Sequence, residues 1–139
     1  MPAKPRVLID LNVILDVLQK REPFYETSAR LLALVETGQA DGYVAAHSMM
    51  TLFYLISKDR SVADARAVLT SLLQFLKVAS IDHSAIERAL TLDYRDYEDA
   101  VQMIVALQLK LDCIVTRNVK DYSPALLPVL QPVEFLANL

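Results

Sequence analysis

The sequence predicts one α/β domain over residues 1–139, a three-layer α/β/α sandwich whose central, mainly parallel sheet has four to five strands. Three observations carry this. Short aliphatic runs, beginning with Val7-Leu8-Ile9, suit strands covered on both faces. Longer segments with apolar residues at helical spacing alternate with those runs, which implies right-handed crossovers and a parallel sheet between helices. The 139 residues hold 54% hydrophobic side chains and two glycines, with no repeat, low-complexity tract or linker long enough to divide the chain. A chain of this length buries about two-thirds of its unfolded surface, so it needs neither disulfide nor metal to fold.

The first strand, Val7-Leu8-Ile9, ends on Asp10, and Asn12 reads as the N-cap of a short helix through Val13, Ile14, Leu15, Val17 and Leu18. Asp10 thus stands at the carboxyl end of a strand, the edge where sites form in open parallel sheets. The competing role is that of an ordinary Asx side chain satisfying loop amides. Lys20 follows Asp16 by four residues, the spacing of a surface ion pair. Pro23 suits the first turn of a second helix, which carries Phe24, Ala29, Leu31, Leu32, Leu34 and Val35 and stops at Gly38.

Tyr43-Val44-Ala45-Ala46 is the second strand, and His47-Ser48 opens a helix that reaches Lys58 without a carboxylate. Its Met and aromatic residues, Met49 to Ile56, suit a core or a dimer surface. His47, at the junction, is either a loop or capping residue or a hydrogen-bonding partner for a phosphate. Ser61 and Asp64 resemble a capping box ahead of an amphipathic helix from Ala65 to Leu76. Val78-Ala79 is an edge strand, and Asp82 caps the helix over Ala85, Ile86, Ala89 and Leu90, with His83 exposed.

Asp93-Tyr94-Arg95-Asp96-Tyr97-Glu98-Asp99 places four acids ahead of the helix that carries Ala100, Val101, Ile104, Val105, Ala106 and Leu107. Asp96 as N-cap, with Asp99 three residues on, is a capping arrangement, and acids in a first turn complement the helix dipole. Ile114-Val115-Thr116 is a strand that ends, like the first, on polar residues, here the loop Arg117-Asn118-Val119-Lys120-Asp121-Tyr122. Pro128-Val129-Leu130 is the last strand, and Pro132 opens a terminal helix with Phe135 and Leu136.

The single Cys113 has no partner for an internal bridge, which suits a reducing compartment and a core position. The basic start Met1 to Arg6 precedes an apolar run broken by Asp10 and Asn12, so neither a signal peptide nor a membrane span is expected and the protein is expected to be cytoplasmic. A formal net charge of −3 argues against gripping nucleic acid by bulk electrostatics, leaving a local basic rim or bound cations for that task.

Asp10, Asp99 and Asp121, with Asn12 and Asn118 beside them in sequence, converge at the carboxyl edge if their two strands are neighbours. Crowded carboxylates raise one another's pKa, and a hard divalent cation with oxygen ligands, Mg²⁺ or Mn²⁺, relieves them. One Cys and two scattered His do not suit zinc. Such an ion binds a phosphate oxygen and makes a water more acidic, which points to phosphodiester hydrolysis, with Arg117 and Lys120 placed to hold the substrate backbone.

Val7-Leu8-Ile9-Asp10-Leu11-Asn12, the turn Arg21-Glu22-Pro23-Phe24, Tyr97-Glu98-Asp99-Ala100 and Val115-Thr116-Arg117-Asn118 with Asp121-Tyr122 together resemble the PIN-domain ribonucleases, the fold of VapC-like toxins from bacterial toxin and antitoxin pairs. The resemblance covers nearly the whole chain. It implies a metal-dependent endoribonuclease with Asp10, Asp99 and Asp121 as catalytic residues and Mg²⁺ or Mn²⁺ ligands. Asn12, Thr116, Arg117, Asn118 and Lys120 then lie on the substrate side. It further implies an RNA substrate, single-stranded or looped, a homodimer and neutralisation by a small antitoxin.

One departure stands out. PIN nucleases usually carry a second acid on the helix after the second strand, where this chain offers Thr51, Phe53 or Tyr54. Glu98 points about 100° away from Asp99 around the helix, and Asp96 or Asp16 compensates only where the fold brings it close. The spacing from Asn118 to Asp121 is longer than the commonest form of the motif, which leaves open which of the two meets the ion. The alternative function is therefore a catalytically weakened PIN-like module that binds RNA or a protein partner. Phosphoaspartate chemistry at Asp10 ranks lower, because the phosphatases that use it resemble an Asp-x-Asp start and position 12 is Asn. A receiver domain ranks lower still, since no Asp ends a middle strand.

Overall fold

In the computed structural model, which describes residues 1–139, the chain runs β1 (Arg6–Ile9), α1 (Leu11–Leu18), α2 (Tyr25–Glu36), β2 (Asp41–Ala45), α3 (Ala46–Asp59), α4 (Val62–Leu72), β3 (Leu76–Ala79), α5 (His83–Ala89), α6 (Tyr97–Gln108), β4 (Cys113–Val115), β5 (Val129–Leu130) and α7 (Pro132–Ala137). A single 3₁₀ turn covers Val119–Asp121. The five strands form one sheet in the order β3-β2-β1-β4-β5. Every pairing is parallel, and β1 pairs with β4 through Val7↔Cys113, Leu8↔Ile114 and Ile9↔Val115.

The period-two alternation of a strand assigns the layers. Val7 and Ile9 of β1 enter a core with residues of α1, α2, α3, α4 and α7, among them Leu31, Leu52 and Phe135. Leu8, between them, enters the opposite core with Met103, Val105 and Ala89 from α6 and α5. The sheet is thus covered on both faces, which is why its strands read as continuous apolar runs. Cys113 is a free, fully buried thiol that burial pushes up to a pKa of about 12, an inert core residue. No helix is long and apolar enough to cross a membrane.

Local expectations were met unevenly. Ser61 and Asp82 cap α4 and α5 by accepting from the amides of Asp64 and Ala85. Gly38 takes φ +81° just beyond α2, the left-handed conformation that glycine adopts without Cβ strain. Helix α1 begins one residue before Asn12, with Asp10 at its N-cap position. Leu76, assigned from periodicity to the helix before it, opens β3 instead, because pairing with Gly42 of β2 overrides the helical spacing. The expected surface pair of Asp16 and Lys20 does not form: Lys20 lies beyond the helix end at φ +49°, and Asp16 is fully buried. Asp16 faces Arg117 Nε at 3.0 Å and Arg21 Nη1 at 3.9 Å instead.

Candidate active site

The strand order reverses direction between β1 and β4, and the carboxyl ends on either side of such a switch point frame a crevice. Asp10 follows β1 there and Thr116 follows β4. The Asp10 amide donates to the Val115 carbonyl at 3.0 Å, so the ladder runs one residue past Ile9 and locks Asp10 beside Thr116. Although Asp10 occupies the N-cap position of α1, its side chain does not cap the helix. Its Oδ2 accepts from Thr116 Oγ1 at 2.9 Å and its Oδ1 from Gln102 Nε2 at 3.4 Å. Burial pushes the Asp10 carboxyl up, while the bonds from Thr116, Gln102 and the Leu11 amide and the charge of Arg117 pull against it.

Helix α6 meets this strand end from the other layer. Asp96 caps the helix by accepting from the Glu98 amide at 2.8 Å, and Asp99 faces the crevice beside Tyr122. Asp99 is pushed up to about 7, first by burial and then by the charges of Asp96 and Asp10, with Tyr122 lowering it and Asp121 raising it. One helical turn on, Gln102 is 2% exposed and donates from Nε2 to the Tyr122 hydroxyl at 2.7 Å as well as to Asp10. Burial and the neighbouring carboxylates push the Tyr122 phenol up, so it stays a neutral hydroxyl.

The cleft so formed has a volume of about 160 Å³ and thirteen lining residues. Five are acids, Asp10, Asp96, Glu98, Asp99 and Asp121, and none is Lys or Arg. Asn12 and Asn118 also line it. Side chains three apart eclipse in a 3₁₀ turn, and the turn ending at Asp121 brings Asn118 and Asp121 to the same wall despite their wide spacing in sequence. The contribution of α3 is His47 and Ser48, one turn earlier than Thr51, Phe53 or Tyr54. His47 lies 3.9 Å from Glu98, and burial lowers its pKa against the pull of Glu98, Asp10 and Asp96.

Two expected substrate contacts fall outside the cleft. Arg117 pairs with Asp16 and stacks at 4.2 Å over the Phe24 ring, and Lys120 stands with it beside a neighbouring depression that shares Asn118 and Asp121 with the cleft. Thr116 is fully buried and spends its hydroxyl hydrogen on Asp10. Gln102, Tyr122, Ser48, Asp96 and Glu98 are cleft residues that were not assigned to the site from sequence. The position of Gln102 three residues after Asp99, on the same helix face, was the available signal.

The donor set is chemically suited to a hard divalent cation: all five acids offer oxygen, and their charges are unopposed by any Lys or Arg in the cleft. No three acid, His or Cys side chains stand close enough to enclose an ion by themselves. That pattern fits Mg²⁺, which is commonly held by one or two carboxylates with waters and substrate phosphates completing the shell.

The family described as the PIN domain matches residues 6–120. Ribonuclease VapC1 of Aquifex aeolicus is 23% identical over 138 residues, covering 94% of this chain and 92% of its own. Among solved structures, a toxin-antitoxin complex from Klebsiella pneumoniae superposes with a TM-score of 0.69 at 21% identity, covering 91% of this chain and 97% of the other. VapC20 of Mycobacterium tuberculosis, a sarcin-ricin loop cleaving toxin, gives 0.62 at 15% identity over 78% of this chain and 86% of its own. The structural likenesses establish the fold, the family match takes in every cleft residue except Asp121 and Tyr122, and this chain belongs to the PIN-domain family.

Proposed function

We propose that this protein is a metal-dependent endoribonuclease that hydrolyses RNA phosphodiester bonds, the toxin of a toxin-antitoxin pair. The observation that carries the proposal is the cleft at the switch point, which five carboxylates line without a Lys or Arg. Such a cleft repels a phosphodiester unless a cation joins it. A bound Mg²⁺ or Mn²⁺ supplies positive charge for a phosphodiester oxygen and for the departing oxygen. Of Asp10, Asp99 and Asp121, one or two carboxylates would hold it directly and the remainder through water, with Asn12 and Asn118 beside them. Thr116 and Gln102 orient the Asp10 carboxylate, one on each oxygen. Lys120, with the guanidinium N–H groups of Arg117 that Asp16 leaves free, steadies the RNA backbone along the adjoining depression.

The partners follow the same family logic. Ribonuclease VapC1 and the toxin-antitoxin complexes support a small antitoxin as partner. A homodimer through α3 is supported by Met50 and Tyr54, which are 75% and 58% exposed.

Asp10→Asn or Asp99→Asn is expected to abolish cleavage of single-stranded RNA while leaving the circular dichroism spectrum native, since both side chains sit at an edge and not inside a core. Retained cleavage in either folded variant rejects the assignment. A second function, a binding module with weakened catalysis, is favoured by one specific observation: α3 brings His47 and Ser48 to the cleft and no acid. RNA binding without cleavage under any divalent ion selects it.

A further inference from the structure

A second depression, about 170 Å³ in volume, adjoins the acid cleft; Ile81, Ile86, Tyr97 and Val101 line it, and its other two walls, His47 and Glu98, also wall the cleft. We propose that this depression binds one unpaired nucleobase of the RNA strand whose phosphate lies at Asp10 and Asp99. The inference rests on the ribonuclease function and adds to it the place where the strand beside the scissile bond is held.

The lining chooses the ligand. Four apolar or aromatic walls, no Lys or Arg, and a carboxylate at the rim exclude a phosphate and suit an uncharged flat ring. The Tyr97 ring is 40% exposed yet fixed, because its hydroxyl donates to the Ile86 carbonyl at 2.7 Å. An aromatic surface held in place before the ligand arrives loses little rotamer freedom on stacking. Val101, 4% exposed, and Ile81 belong to the packed core between sheet and α6, so the floor is rigid. Ile86, 42% exposed on α5, has no core role to explain it. Position completes the argument. The depression beside Arg117 and Lys120 flanks the cleft on the Asn118 and Asp121 side, whereas this one flanks it on the His47 and Glu98 side. A strand crossing the cleft passes from a backbone-holding side to a base-holding side.

The test is methyl NMR of the full chain in Mg²⁺, titrated with each of the four nucleoside 5′-monophosphates, which contain no phosphodiester to cleave, and with ribose 5-phosphate as the base-free control. At least one nucleotide is expected to shift the methyl signals of Ile81, Ile86 and Val101, while ribose 5-phosphate leaves them in place. Ile86→Ser, which removes apolar surface at a partly exposed position without adding charge, is expected to weaken nucleotide binding by about fivefold, the low end of the range for one lost base contact. It should leave ribose 5-phosphate binding unchanged. Methyl signals unmoved by all four nucleotides, while amides around Asp10 and Asp99 respond, overturn the base site and leave the ribonuclease function standing. No response at either place overturns the base site and counts against the ribonuclease as well. Methyl shifts that follow protein concentration alone assign the depression to a second copy of the chain and overturn the proposal.

Discussion

Ionisation of Asp99 works against the fold. Its pKa stands at about 7 against an ordinary 3.8, raised by burial and by Asp96, Asp10 and Asp121. The unfolded chain releases this proton near pH 4 and the folded chain only near 7, so between those values the folded state binds more protons. The contribution of Asp99 to stability therefore falls as pH rises from about 4 to about 7 in metal-free solution. Asp99→Asn is expected to raise the melting temperature at pH 8 by the equivalent of about 1–2 kcal/mol, allowing for the solvent that screens this half-buried group, and to change little at pH 4. Melting curves of both proteins in EDTA at the two pH values check this; equal wild-type and variant stability at pH 8 contradicts it. The acids at strand and helix ends were legible in the sequence because an apolar run that stops on Asp is unusual for a loop. Gln102 and Tyr122 were not, since their meaning arises only where α6 and the loop after β4 close over Asp10. The spacing of Asp16 to Lys20 mimics a helical surface pair, and only the helix end at Leu18 removes Lys20 from that face.

At the scale of elements, the Asp16 and Arg117 contact ties α1 to the loop after β4, the two segments that carry Asp10 and Asn118. The pair has good distance but poor hydrogen-bond alignment, and apart from the longer ionic contact to Arg21 neither Asp16 oxygen finds a hydrogen-bond partner. Asp16→Ala leaves the guanidinium over Phe24 without its counter-charge and is expected to destabilise by about 2–4 kcal/mol, below the cost for a fully enclosed pair because Arg117 reaches solvent. A loss under 0.5 kcal/mol in urea denaturation, roughly the scale of a surface change, contradicts this role. Gly42 marks a second constraint: a Cβ there meets Val35 Cγ1 at 2.8 Å, Leu76 Cδ2 at 2.9 Å and Ile9 Cδ1 at 3.1 Å. Gly42→Ala is expected to cost about 1–3 kcal/mol through overpacking between α2 and the sheet, read in the same denaturation experiment. An unchanged midpoint contradicts that close approach. Element types were legible throughout, because helical and strand periodicities alternate cleanly. Boundaries failed where long-range pairing decided them, as at Leu76, where β2 competes successfully for residues that continue a helical pattern.

For the whole molecule, the parallel order with β1 at the centre is what turns scattered acids into one cleft. Convergence of these acids requires β1 and β4 to be neighbours, and the register Ile9↔Val115 meets that condition. Surface chemistry divides the molecule further. The acid cleft has no cation of its own, Arg117 and Lys120 stand on one side of it, and exposed Met50 and Tyr54 on α3 remain for a partner. Under the proposed homodimer the protein is expected to sediment as a dimer at micromolar concentration and Met50→Glu to shift it toward monomer; a monomeric wild type contradicts the dimer, and a variant that stays dimeric contradicts a dimer surface on α3. The most direct measurement of the central claim is cleavage of mixed-sequence single-stranded RNA by purified protein in Mg²⁺ or Mn²⁺, beside an EDTA control and folded Asp99→Asn. Cleavage that disappears in both controls is the predicted result. Cleavage that persists in EDTA or in the variant, or that is absent under every ion while RNA still binds, contradicts a metal nuclease centred on Asp10 and Asp99.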